Sequence, residues 1–64
     1  MQEEFEQRRS AALVLCNRLL AALEENQDDA HSFFGGEVYQ VYDSTTDIAK
    51  NKVKKIRNEI RNLS

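Results

Sequence analysis

The sequence has no proline, no tryptophan, only two glycines and a single cysteine. Each shortage excludes something. Without proline, no ring clash or missing N–H interrupts a helix. One cysteine cannot close an intrachain disulfide, and one cysteine with one histidine cannot supply the four ligands of a structural zinc site. No apolar run approaches the roughly 20 residues of a membrane-spanning helix. There is no glycine-rich phosphate loop, no paired-carboxylate cleft and no Ser/His/Asp set. Sixty-four residues also leave little room to enclose a water-excluded pocket. These absences lead to the expectation of a non-enzymatic protein that carries no cofactor and no metal.

What is present favours helix. Hydrophobic residues make up 41% of the chain and charged ones 31%, a balance that argues against disorder. Ala, Leu, Glu, Gln, Lys and Arg, the strong helix formers, are abundant. The expected organisation is one domain over residues 1–64: a helix at about 2–25, a turn at 26–36 and a helix at about 37–63. In the first segment Phe5, Ala12, Cys16, Leu19 and Leu23 fall on one line at 100° per residue, flanked by Leu13, Leu15 and Leu20. Glu3, Glu4 and Glu6 sit in the opening turns, where carboxylates complement the helix dipole.

Asn26-Gln27-Asp28-Asp29 reads as a polar, turn-favouring run, with room for a short helical turn at 29–34. Gly35-Gly36 would end that turn, since glycine tolerates the left-handed backbone of a helix stop. Phe33 and Phe34 are too apolar for a free loop, and at least one is expected to plug the end of the helical layer. In the last segment Tyr42, Thr46, Ala49, Val53, Ile56, Ile60 and Leu63 repeat at heptad spacing, with Val38, Val41, Thr45 and Ile48 as a second stripe beside them. Val38–Tyr42 is also rich in strand formers, and Ser44–Asp47 fits a helix-starting capping box. A lone strand lacks a ladder partner, so one continuous helix is the preferred reading and strand-then-helix the competitor.

The fold class that follows is all-α: an antiparallel two-helix hairpin. Charge agrees with the antiparallel arrangement. Residues 1–32 carry seven acidic and three basic side chains, and residues 33–64 four acidic and six basic. Folding back brings Glu3, Glu4 and Glu6 toward Lys54, Lys55, Arg57 and Arg61. The apolar stripe of the first segment is wider than one partner helix covers, and a single small core rarely supplies more than about 3–5 kcal/mol without a staple. The hairpin is therefore expected to complete a four-helix bundle, by homodimerisation or by docking on a larger helical protein. Leu19, Leu20, Leu23, Phe33, Phe34, Tyr42, Val53, Ile56 and Ile60 are the expected partner-binding residues. The role this implies is that of an adaptor or regulatory subunit.

A second class competes. Lys50, Lys54, Arg57 and Arg61 recur on one face of the last segment, a candidate anion-binding stripe for nucleic acid. Glu59 interrupts that stripe, and no aromatic residue interleaves with it. His31 beside Asp28 and Asp29 offers a single imidazole where a metal site needs three or four convergent ligands. Cys16 falls on the apolar line and reads as a small core residue. A lone buried cysteine and an acidic N-terminus are what a cytoplasmic or other intracellular protein is expected to have.

One resemblance rests on Phe33-Phe34-Gly35-Gly36-Glu37-Val38-Tyr39, which is similar to the Trp-x-Gly turn of the WXG100 proteins. Tyr39-Gln40-Val41-Tyr42-Asp43 matches the Tyr-x-x-x-Asp form of their export signal. The resemblance implies a secreted, dimeric helical hairpin. It covers about ten residues, lacks the tryptophan, and places the tyrosine motif at the start of the second helix instead of after its end.

Overall fold

A computed structural model describes residues 2–63, all but the two terminal residues of the chain. Two helices account for nearly all of it: α1, Gln2–Phe33, and α2, Gly36–Arg61. They lie antiparallel, side by side, in a body of 51 × 16 × 9 Å. The smallest of these dimensions is about one helix thick, so no second layer covers either broad side. No helix among the described residues is long and apolar enough to cross a membrane.

α1 starts with Glu3 and Glu4 in its first turn, and Arg8 Nη2 reaches back to Glu4 Oε1 at 2.6 Å. Both side chains are solvent-exposed, so the pair contributes a few tenths of a kcal/mol at most. The helix does not stop at residue 25. It continues through Asn26–Asp29, where the sequence predicts a turn, and absorbs the separate short turn expected at 29–34. Tertiary contact overrides local propensity here: Gln27 and Ala30 are both buried against α2.

The connection is correspondingly short. Phe34 N–H still donates to Ala30 C=O at 2.9 Å, continuing the helical ladder, and Gly35 then turns extended with φ −70° and ψ 164° as the N-cap of α2. Neither glycine has positive φ, so the left-handed helix stop expected of Gly35-Gly36 is not how the chain turns. α2 begins at once, with Tyr39 N–H donating to Gly35 C=O at 2.9 Å. Val38–Tyr42 is helical, and the Ser44–Asp47 capping pattern lies inside the helix. At the far end Asn62 N–H bonds to Asn58 and Glu59 carbonyls, each at 3.2 Å, and closes α2.

The seam between the helices differs from the one that the apolar periodicity predicts. On α1 the inward positions are Arg9, Leu13, Cys16, Leu20, Leu23, Gln27 and Ala30; on α2 they are Tyr39, Asp43, Thr46, Lys50, Val53, Arg57 and Ile60. Both rows step alternately by four and three residues, as a coiled-coil seam does. Of its apolar heptad, α2 places Thr46, Val53 and Ile60 in this row and keeps Tyr42 and Ala49 half-buried at its edge, while Ile56 and Leu63 are exposed. Polar residues occupy the rest of the row because α1 itself offers polar groups at matching levels. Core apolar burial is slight: Leu20 is 7% exposed, and it and Ala30 are the only buried hydrophobic residues among those described.

Candidate functional site

The seam carries a polar network centred on Gln27, which is 8% exposed. Its Nε2 donates to Asp47 Oδ1 at 2.9 Å, to Asp43 Oδ1 at 3.1 Å and to the Asp43 carbonyl at 3.3 Å. Its Oε1 accepts from Lys50 Nζ at 3.0 Å. Lys50 Nζ also lies 3.7 Å from Glu24 Oε1 and 3.9 Å from Asp47 Oδ1. Two carboxylates thus face the amide nitrogen, a lysine faces the oxygen, and the amide has one satisfactory orientation.

Tyr39 closes the turn end of this network. Its ring meets His31 edge-on at 4.7 Å between centroids, and its hydroxyl points to Asp43 Oδ1 at 3.4 Å. Desolvation, followed by the nearby Asp43 carboxylate, pushes the Tyr39 hydroxyl above its ordinary pKa of 10.0. Toward the open end, Arg57 Nη1 donates to Asn17 Oδ1 at 3.0 Å, while Arg57 Nε is buried without a partner. Arg9 Nη1 donates to the Leu63 carbonyl at 2.6 Å. Among the described residues no ion pair joins Glu3, Glu4 or Glu6 to α2, so the cross-hairpin charge pairing expected at that end does not form.

Because the seam is occupied by these groups, the apolar residues lie to one side of it. Val38, Val41, Thr45, Ile48 and Ile56 of α2 form an exposed row displaced by about 100° from the seam. On α1 the displaced row is Leu15, Leu19 and Phe33, bordered by Phe5 and Ala12. In an antiparallel pair these two displacements fall on the same broad side. Contacts at the turn agree: Phe34 and Tyr42 stack at 5.6 Å, and the surface beside them is shared with Asn26, Ala30 and Phe33 of α1. Phe34, Glu37, Val38, Val41, Tyr42 and Thr45 line an open groove of about 510 Å³ on this side. The hairpin is amphipathic: this broad side carries the exposed apolar residues, interrupted by Arg8, Asn26, Lys52 and Glu59, and the other is largely polar.

The partner-binding residues expected from sequence divide between two places. Leu20, Leu23, Val53 and Ile60 belong to the seam inside the hairpin. Leu19, Ile56, Phe33, Phe34 and Tyr42 lie on or beside the apolar side. Phe33 is 84% exposed and plugs nothing within the hairpin, whereas Phe34 rests on Tyr42. Val38, Val41 and Ile48 are further members of that side; the sequence places them in a second stripe, and the seam row tells which stripe stays outside. The basic stripe is also split. The Lys50 side chain is 16% exposed and Arg57 faces Asn17, while Lys54 and Arg61 are exposed. Cys16 sits half-buried in the seam as a free thiol.

No group of three or more His, Cys, Asp or Glu side chains among the described residues converges as a metal site would. No protein-family model matches the sequence, and no curated protein or solved structure matches it significantly, so the likeness of the Phe33–Tyr39 turn to the WXG100 proteins gains no support from comparison.

Proposed function

We propose that this hairpin is a non-enzymatic protein–protein interaction module, an adaptor or regulatory subunit that acts by completing a helical bundle with another chain. One observation carries the proposal: the exposed apolar side formed by Leu15, Leu19, Phe33, Phe34, Val38, Val41, Ile48 and Ile56, next to a seam filled largely with polar groups. Contiguous apolar surface rimmed by polar residues marks an interaction site, because its removal from water is favourable at about 25 cal/mol per Å².

The physics of the hairpin supports the same role. Among the described residues only Leu20 and Ala30 are buried hydrophobics, and the other apolar seam residues are half-buried, so the hairpin sets little apolar burial against the entropy of ordering its backbone. Burial of the apolar side by a partner supplies what the seam does not. Thermal unfolding followed by circular dichroism over a wide range of protein concentration tests this. The expected result is a shallow transition for the isolated chain that sharpens and rises as chains associate or a partner is added. A steep, concentration-independent transition of a monomer would overturn the proposal.

A further inference from the structure

The apolar side has an occupant written into the charge distribution of the hairpin. Divided at the level of Leu20 and Val53, the turn half (residues 20–53) holds seven acidic and two basic side chains, a net of −5. The open half (2–19 and 54–63) holds four acidic and seven basic ones, a net of +3. The long body is therefore a charge dipole. Asp29 and Glu37 border the apolar side in the turn half. Lys55, one heptad beyond Ile48, and Arg8, one heptad before Leu15, lie on it in the open half, where Arg8 also holds Glu4; Lys52, between Ile48 and Ile56, and Glu59, one heptad further on, are the charges of opposite sign on this side.

The surface area points the same way. A compact folded monomer of 7.4 kDa exposes about 4,200 Å² by the usual scaling with mass. This chain exposes 5167 Å². The excess, about 1,000 Å², matches the roughly 800 Å² that each partner contributes to a standard stable interface.

We infer that the apolar side binds a second copy of this chain, face to face and head to tail, about a two-fold axis perpendicular to the long axis near Leu20 and Val53. This deepens the interaction-module reading and rests on it. Head-to-tail packing sets the turn-half groove of Phe34, Val38, Val41 and Tyr42 at the level of Phe5, Arg8 and Leu63 of the second copy, and Thr45 and Ile48 at the level of Ala12 and Leu15. It also sets a net of −5 against +3 at both ends. Head-to-head packing would stack −5 on −5 within a Debye length, about 8 Å at physiological salt. The product is an antiparallel four-helix bundle with an isologous interface.

Sedimentation equilibrium combined with a spin-label distance tests both parts. In a Cys16→Ala background, Ser32→Cys places a label twelve residues from the proposed axis. Ser32 is in line with Val14 on the outer side, so two such labels should lie about 40–50 Å apart in the head-to-tail dimer, where about 36 Å along the axis adds to the thickness of the bundle, and about 20–30 Å apart in a head-to-head one. The dissociation constant should rise at least about 100-fold for Val41→Asp or Ile48→Asp. It should change little for Val14→Asp, an exposed apolar position away from this side. A dimer with the short label distance, or one weakened equally by Val14→Asp, overturns the inference. So does a monomer at all concentrations. If that monomer also melts steeply the interaction-module reading falls with it, whereas a shallow melt leaves that reading standing for a different partner.

Discussion

Gln27 Nε2 lies 2.9 Å from Asp47 Oδ1, and the same amide group accepts from Lys50 Nζ on the next turn of α2. The bonds fix the register of the two helices in a way that apolar contact alone does not, because a one-turn slip breaks the bonds from the buried Gln27 amide to Asp43, Asp47 and Lys50 together. Gln27→Ala is expected to destabilise the protein by about 1–3 kcal/mol at fixed protein concentration. For a chain of this size that is a fall in Tm of the order of 5–20 °C. A double-mutant cycle with Lys50→Ala should return a coupling of about 0.5–3 kcal/mol. Independent, additive effects would show that the network does not act as a unit.

Arg57 gives the opposite expectation. Its Nε is buried without a partner, and its one hydrogen bond is to the neutral Asn17. Arg57→Met keeps an unbranched apolar stem while removing the guanidinium, whose Nε is buried without a partner. Stability should stay within about 1 kcal/mol of the parent or rise, as for other poorly satisfied buried charges. Urea denaturation measures it, and a loss above about 2 kcal/mol would mean that the Asn17 contact is worth more than its geometry implies.

Gly36 is the first residue of α2, has ordinary negative φ, and would bring an added Cβ into contact with nothing within 4 Å. Gly36→Ala should therefore stabilise the hairpin by about 0.5–1 kcal/mol, through the reduced entropy of the unfolded chain and better helix propensity. A small rise in the urea midpoint at unchanged slope is the expected signature.

Tyr39 supplies a pH dependence. Its hydroxyl titrates above 10.0 in the folded state, through desolvation and then the nearby Asp43 carboxylate. The folded protein therefore holds this proton to higher pH than the unfolded chain does. Its contribution is intact below pH 10.0 and is lost as the pH rises through the folded pKa. Tyr39→Phe should flatten the alkaline decline in stability. In the Tyr42→Phe variant, phenolate absorbance should report a single midpoint above that of free tyrosine.

The helices, their antiparallel order and the helical state of Val38–Tyr42 were legible in the sequence, since composition and the lack of a strand partner leave few alternatives. The length of α1 was not. Asn26–Asp29 has the composition of a turn and is helical only because Gln27 meets Asp43, Asp47 and Lys50, partners sixteen or more residues away. The same long-range pairing hid the seam of α2. Apolar periodicity marks Tyr42, Ala49 and Ile56 as inward; Tyr42 and Ala49 are half-buried at the edge of the seam, while Ile56 is exposed because Asp43, Lys50 and Arg57 also face α1. Leu19 and Ile56 were expected as contact residues from spacing, and the hairpin leaves both exposed. Val38, Val41 and Ile48 could be assigned to the outer side only once the seam row was known.

Gly35 has one further consequence. Phe34 N–H already bonds to Ala30 C=O and Tyr39 N–H to Gly35 C=O, as in an uninterrupted helix, and Gly35 φ, −70°, is already near helical values. Its ψ of 164° departs from them. Rotating that torsion toward about −42° would straighten the chain into a single rod of roughly 90 Å. Two such rods laid antiparallel could rebuild each seam with α1 from one copy and α2 from the other. A strong helix former at position 35 would lower the cost of that straightened form by about 1 kcal/mol.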